Sequence, residues 1–380
     1  MTYPYSNPLT PTLSLWEREF LNFKYLASFM LARLFGRNTT ESETYEDHFS
    51  LAGRIAVVLV SVTAIVLLGL SYYWDVDTAF FDPPRFDVRE ATLARVAEDP
   101  KKLVSGAVTS ATLIEVASFL IDKPGGYVAN DITPPGLLMD NTPSWEFGVV
   151  VQLRDLTRVL RNDFSRSQTQ STEDADLSRA DPDFHNDTDA WLFPSFEGQA
   201  KAGVVALERY FSRLTNVKPA AARFYARADN LVAYLSLVAQ RLGDHSQRLS
   251  ASVGKAAVPI TSANPAAAED ASLFAAPSVK TPWMDLDDVF YEARGAAWAL
   301  LHFLRAIEID FESVLNKKNA LASVRQIIRE LERTQDALMS PMVLTGDGFA
   351  IFANHSLVMA SYISRANAAT IDLIKLLQQG

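Results

Sequence analysis

Residues Ile55–Trp74 read IAVVLVSVTAIVLLGLSYYW, twenty consecutive positions without a charged side chain. At about 1.5 Å per residue a helix of this length covers the roughly 30 Å of a bilayer's hydrocarbon core. Eleven of the positions are Val, Ile or Leu. At about 0.3 to 0.6 kcal/mol each on an insertion scale, they favour spanning by several kcal/mol. Lipid offers no partner to backbone N–H and C=O groups, so the segment must satisfy them internally as a helix. The run is read as a transmembrane signal anchor, and the bilayer as the chain's first partner.

Arg54 flanks the anchor on its N-terminal side and Asp75 and Asp77 on the other, while Arg85 and Arg89 oppose the bias. The positive-inside rule then places the segment 1–54 in the cytoplasm and the rest in the periplasm, as in a single-pass protein of the bacterial inner membrane. Tyr72, Tyr73 and Trp74 serve as an outer interfacial anchor. Cleavage after small residues such as Gly69 and Ser71 is the competing reading, but the apolar run is longer than a usual signal-peptide core and the leader far longer. Asn7–Glu19 (NPLTPTLSLWERE) resembles translated intergenic repeats, which would make Met30 the start. The rival reading is an interfacial helix carrying Trp16, Phe20 and Phe23.

The formal net charge of -10 lacks the basic excess that displaces counterions from phosphates, so no nucleic-acid partner is expected. With no cysteine there are no disulfides, thiolate metal sites or cysteine nucleophiles.

Pro83 and Pro84 end any helix beyond the anchor, giving a stiff spacer over 75–87. Apolar residues at three-to-four-residue spacing then mark Ala107–Ile121, Trp145–Arg161, Glu197–Leu214, Ala220–Leu242, Leu286–Leu315, Ala320–Leu338 and His355–Leu377. Alternating strand patterns are missing. The fold class expected is mainly α: one N-terminal transmembrane helix, then a periplasmic multi-helix bundle over 88–380 with long loops. A Pro/Gly-rich loop occupies Lys123–Gly136. A polar acidic loop is expected over 165–189, and a flexible Ala/Pro-rich insert over 254–281. Both halves flanking the insert carry broad apolar faces, which predicts one composite bundle.

Several word-like stretches recur in order: GGYVANDITPPG at Gly125, DNTPSWEFG at Asp140, RNDFSRSQTQSTEDADL at Arg161, FYARADNL at Phe224, FYEARGAAWALLHFLRAIEIDF at Phe290, KKNA at Lys317 and NHSLVMASYISRANAATIDL at Asn354. Over roughly Ala79–Gly380 the chain resembles a proteobacterial family known as domain of unknown function 2333. The resemblance implies a single-pass envelope protein with a C-terminal helical domain. It supplies no catalytic residues to carry over.

Glu173–Asp189 is the densest acidic stretch. Hard oxygen ligands suit calcium, and Asp181, Asp183, His185 and Asp187 are the candidate metal set. The stretch lacks the glycine and bidentate glutamate of an EF-hand, and Pro182 interrupts it, so a solvated acidic loop is the plainer account. On the helix from Leu286, Asp288, Glu292, Gly295, Trp298, His302 and Arg305 follow at helical spacing. Such a stripe can put an acid, an imidazole and a guanidinium in one groove. The structural alternative is ion pairing, with Gly295, Ala296 and Ala299 allowing close helix approach. In the last helix Ser356, Ala360, Ser364 and Ala368 form a small-residue face bordered by Asn354, His355, Arg365 and Asn367, with Arg365 in reach of Glu308 or Asp310. The expected binding groove is the polar seam between these two helices: Glu292, Trp298, His302, Arg305, Glu308, Asn354, His355, Arg365 and Asn367.

No paired metal spacing, nucleophile elbow or phosphate loop is present, and no cofactor is expected. The sequence therefore favours a membrane-tethered periplasmic scaffold or accessory binding protein in cell-envelope assembly or maintenance, with an envelope protein as partner. The rival is an enzyme on envelope polymers or lipids, using Glu292 or Glu308 as acid–base group and Arg305 or Arg365 to hold an anionic substrate. A third reading is self-assembly through the small-residue face of the last helix.

Overall fold

The helix Leu286–Asp310 is apolar on nearly every side, so it can be stable only at the centre of a bundle. In the computed structural model it occupies that place. The structure describes residues 51–75, 85–97, 99–167, 172–216, 222–253, 280–338, 340, 342–346 and 353–379. Expectations for residues 1–50, most of the spacer and most of the 254–281 insert lie outside them. Among the described residues there are eleven α-helices and no strand; an isolated bridge joins Thr345 and Asn354.

The helices are α1 Leu51–Asp75, α2 Val88–Arg95, α3 Ala107–Asp122, α4 Asn141–Val159, α5 Leu177–Phe184, α6 Phe196–Leu214, α7 Ala228–Ser250, α8 Leu286–Asp310, α9 Glu312–Lys317, α10 Leu321–Arg333 and α11 His355–Gln378. A π-helical turn, Leu160–Phe164, continues α4. The described residues divide between Val66 and Leu67 into two units. The boundary falls within α1, whose side chains are exposed along most of its described length, and Gly53–Asp75 is long and apolar enough to cross a membrane.

In the second unit α8 packs on α3, α4 and α10, and α11 lies on α7 and α10. Helices α4 and α8 cross backbone to backbone. A Cβ added to Gly295 would stand 2.0 Å from the carbonyl oxygen of Trp145, and one added to Gly148 2.1 Å from that of Glu292. Beside the crossing, Trp145 and Trp298 are fully buried with ring centroids 5.2 Å apart.

Two short helices depart from the sequence reading. Val88–Arg95 starts at Asp87, whose carboxylate accepts from the amides of Arg89 (2.8 Å) and Glu90 (2.9 Å). The expected acidic loop over 165–189 contains α5. Its Leu177, Ala180 and Phe184 are buried at helical spacing, and arginines from neighbouring helices neutralise its acids. Arg161 binds Glu173 and Asp181, and Arg213 binds Asp174 and Asp176.

The end of α8 caps the start of α3. The Asp310 carboxylate accepts from the Thr109 amide (2.6 Å) and hydroxyl (2.7 Å). Burial pushes its pKa up to about 6, against the pull of the Thr109 donors. A carboxyl raised in the folded state favours folding while protonated, a contribution that is lost as pH rises through about 6. Relative to an Asp310→Asn variant, the wild type should therefore lose about 1 to 3 kcal/mol between pH 4 and pH 7. Denaturant unfolding of both proteins at the two pH values measures this, and a pH-independent difference would contradict it.

Candidate functional site

The nine residues of the expected groove are not brought together. Helices α8 and α11 meet only marginally, because α11 is seated on α7 and α10. Glu292 points to α7, where Arg248 holds it through two bonds of 2.6 and 2.5 Å. Trp298 is buried between Phe119 and Trp145. His302 stacks on Phe86 at 4.3 Å, and its Nε2 accepts from the Phe86 amide at 3.4 Å. That bond places the ring proton on Nδ1, which donates to the Trp298 carbonyl at 2.8 Å. Burial, with Arg305 and Arg85 nearby, lowers the imidazole to about 4 and keeps it neutral.

Arg305 pairs with Glu332, and Arg325 with Glu308, each at 2.7 Å across α8 and α10. Asn354 caps α11, accepting from the Leu357 amide and donating to the Gly346 carbonyl. Arg365 reaches neither Glu308 nor Asp310; it pairs with Glu330 at 2.9 Å and covers the Tyr362 ring. Asn367 lies against Gly243 of α7. Of the small-residue face, Ser356 and Ala360 are buried while Ser364 and Ala368 face solvent. Both candidate acid–base groups, Glu292 and Glu308, thus carry guanidinium partners.

Of the candidate metal residues only Asp181 and His185 touch, at 3.2 Å between the carboxylate and Nδ1. Asp181 is held by Arg161, His185 Nδ1 meets the Asp181 carbonyl at 2.7 Å, and Asp187 accepts from the Asp189 amide. Burial raises the Asp183 carboxyl. No group of three or more His, Asp or Glu among the described residues could hold a metal ion.

Of the clefts on the described surface, two adjoin residues of the expected groove on α8 or α11. One, of about 330 Å³, lies between Phe290 and Arg294 of α8, the turn Thr334–Leu338, and His355 and Met359 of α11. His355 is the only member of the expected groove that lines it. Burial lowers its pKa, and its Nδ1 accepts from the Leu344 amide at 3.0 Å, so it too is neutral.

The other cleft, about 530 Å³, is basic. Arg85 and Arg89 stand on one wall and Arg305 on the other, over a floor of Phe86, Val88 and Ile309. The stacking of Phe86 on His302 pins the stretch before α2 to α8, and the Asp87 cap fixes Arg89 in the first turn. Its two acids are already engaged, Asp87 by backbone amides and Glu308 by Arg325. Arg85 also reaches the Gln335 carbonyl at 3.3 Å, which orients it along the wall. Sequence reasoning missed this cleft, although the Asp87-x-x-Glu90 pair has the spacing of a helix capping box and could have revealed α2 and its arginine.

Residues 47–380 match the model of a bacterial family described as "Uncharacterized protein conserved in bacteria (DUF2333)", and the chain belongs to that family. No functionally curated protein and no solved structure matches it.

Proposed function

We propose that this family member is a single-pass protein of the bacterial inner membrane whose helical bundle stands in the periplasm. There it acts as a scaffold or accessory binding protein in envelope assembly or maintenance. The bundle works by binding, and the groove at Arg85, Arg89 and Arg305 receives an acidic segment of an envelope partner. One observation carries this reading: Arg85, Arg89 and Arg305, the last shared with Glu332, line one groove whose own acids are engaged, in a chain of net charge -10. A local field opposite to that of the whole molecule directs an acidic partner to one place and orients it there. The topology is supported by the one candidate span among the described residues and the Arg54-to-Asp75 charge asymmetry across it. A catalytic reading draws no support from Glu292 and Glu308, which are paired.

A photo-crosslinking side chain in place of Ile309 tests this in living cells. The expected result is repeated capture of one envelope protein, falling at least tenfold in Arg89→Glu and unchanged in Lys375→Glu, where the lysine is paired with Asp372 on α11. Capture that ignores Arg89→Glu would remove the groove from the interaction. Capture of cytoplasmic proteins alone would reverse the topology.

A further inference from the structure

The second unit has an end at which α1 terminates. The last turns of α1, from Leu67, belong to this unit. The Trp74 ring lies against Gly125, and Thr142 donates to Asp75 Oδ1 at 2.5 Å. Two residues on, Ser144 donates to Asp288 at 2.8 Å, so the first turns of α4 and α8 share this end with the close of α1. From there the 25 residues of α8 run about 37 Å to Asp310 and the opposite end.

The most exposed aromatic side chains of the described bundle lie in segments that adjoin the close of α1. Beyond Asp75, the only described Trp or Phe residues more than half exposed are Phe193 (94%), Trp283 (72%) and Trp191 (52%). Trp283 and the exposed Met284 sit in the turn that leads into α8. Ile132 and Leu137, also exposed, follow the loop that packs on Trp74. Asn130 donates to the Ala190 carbonyl at 2.8 Å and to Glu197 at 2.9 Å, which sets Trp191 and Phe193 beside that same stretch. Three segments distant in sequence thus bring exposed apolar side chains to the same end of the unit.

Solvent does not reward this arrangement, and contiguous exposed apolar surface marks a contact. What covers the face follows from its position. Tyr72 and Tyr73, exposed at the close of the candidate span, stand at the level where aromatic residues enter a membrane–water interface. The face lies at that same end. The same segments carry Asp131, Asp140, Asp285 and Asp287, so attraction to anionic headgroups cannot be what draws this end to a surface.

We propose that this end of the bundle is a membrane-seating face. Ile132, Leu137, Trp191, Phe193, Trp283 and Met284 enter the interfacial layer of the bilayer that α1 spans, so the domain rests on lipid as well as being tethered to it. The inference depends on the spanning reading of α1. Because the seating is apolar, it is insensitive to salt and to the anionic lipid content of the membrane.

The absence of native cysteine makes the test direct. The full chain is reconstituted into phosphatidylcholine nanodiscs, with a single nitroxide introduced by Phe193→Cys, Trp283→Cys, Thr63→Cys or Ser313→Cys. Accessibility is then measured to oxygen, which partitions into lipid, and to a water-soluble nickel chelate. Labels at 193 and 283 are expected at interfacial depth, 63 near the bilayer centre and 313 in water. Raising salt to about 1 M, where the Debye length is about 3 Å, should leave the depths unchanged. If 193 and 283 report water while 63 reports lipid, the seating face is wrong and the span stands. If 63 also reports water, the spanning reading fails and takes the face with it. Labels at 193 and 283 shielded from both reagents would mean that protein, a second copy or a partner, covers the face, and would equally overturn the proposal.

Discussion

Gly295→Ala should destabilise the bundle by more than about 3 kcal/mol, a cost set by the α4–α8 crossing. The new methyl group would meet the Trp145 carbonyl oxygen at 2.0 Å and its carbon at 2.8 Å, both backbone atoms that no rotamer change can move. Gly148→Ala should behave alike, with the Glu292 oxygen at 2.1 Å and the Ala296 nitrogen at 2.7 Å. Either substitution forces the two helices apart at their tightest point and unpacks the buried Trp145 and Trp298. The sign is decisive, since Gly to Ala in an unobstructed helix stabilises by roughly 1 kcal/mol. Gly243 of α7 is the internal control: its added Cβ would find only the Asn367 amide, at an ordinary 3.5 Å. Gly243→Ala is therefore expected to be neutral or to stabilise by up to about 1 kcal/mol. Denaturant unfolding followed by circular dichroism compares the three. Equal effects at 295 and 243 would show that the crossing is looser than described.

The second large effect is expected at Lys123 and Glu146, whose side chains are both 0% exposed and meet at 2.5 Å. Lys123 also donates to the Gly126 carbonyl, and the Glu146 carboxylate accepts from the amides of Val128 (2.9 Å) and Ala129 (2.8 Å). Burial raises the Glu146 carboxyl, while Lys123 and the two amides pull it down. Removing one partner strands a charge in a dry interior, so Lys123→Met or Glu146→Leu alone should cost about 3 to 5 kcal/mol. The double variant leaves no orphan charge and should cost less than the sum of the singles by at least about 2 kcal/mol. Additive costs would show that the two groups do not act as a pair. The clasp holds the loop that supports Trp74, so either single variant should also raise the mobility of a label near residue 74.

The helices were legible where burial is one-sided. In α10, Val324, Ile327, Ile328 and Leu331 are buried and, after Leu321 and Ala322, the other positions are polar, so spacing alone locates the element. Helix α5 was hidden because its acids dominate the composition, and the arginines that neutralise them come from α4 and α6, outside any local window. The candidate groove failed for a related reason. A polar residue every three or four positions on α8 reads the same whether the stripe faces one opening or several neighbours. Because α8 is central, Glu292 turns to α7, Trp298 to α3 and α4, His302 to Phe86 and Arg305 to α10. The basic cleft was illegible because Arg85 and Arg89 lie more than 200 positions from Arg305, and only the fold joins them.

The central position of α8 also governs when this protein can fold. Its contacts reach back across the chain, from Asp288 to Ser144 over 144 positions and from Asp310 to Thr109 over 201. At a synthesis rate of roughly 5 to 20 residues per second, α3 waits about 10 to 40 s for the partner that covers it. Through that interval the earlier helices present apolar faces with nothing to close them. A nascent chain built this way depends on holding factors until α8 has been made, and truncations that end before residue 286 are expected to be degraded rather than to accumulate as half-domains.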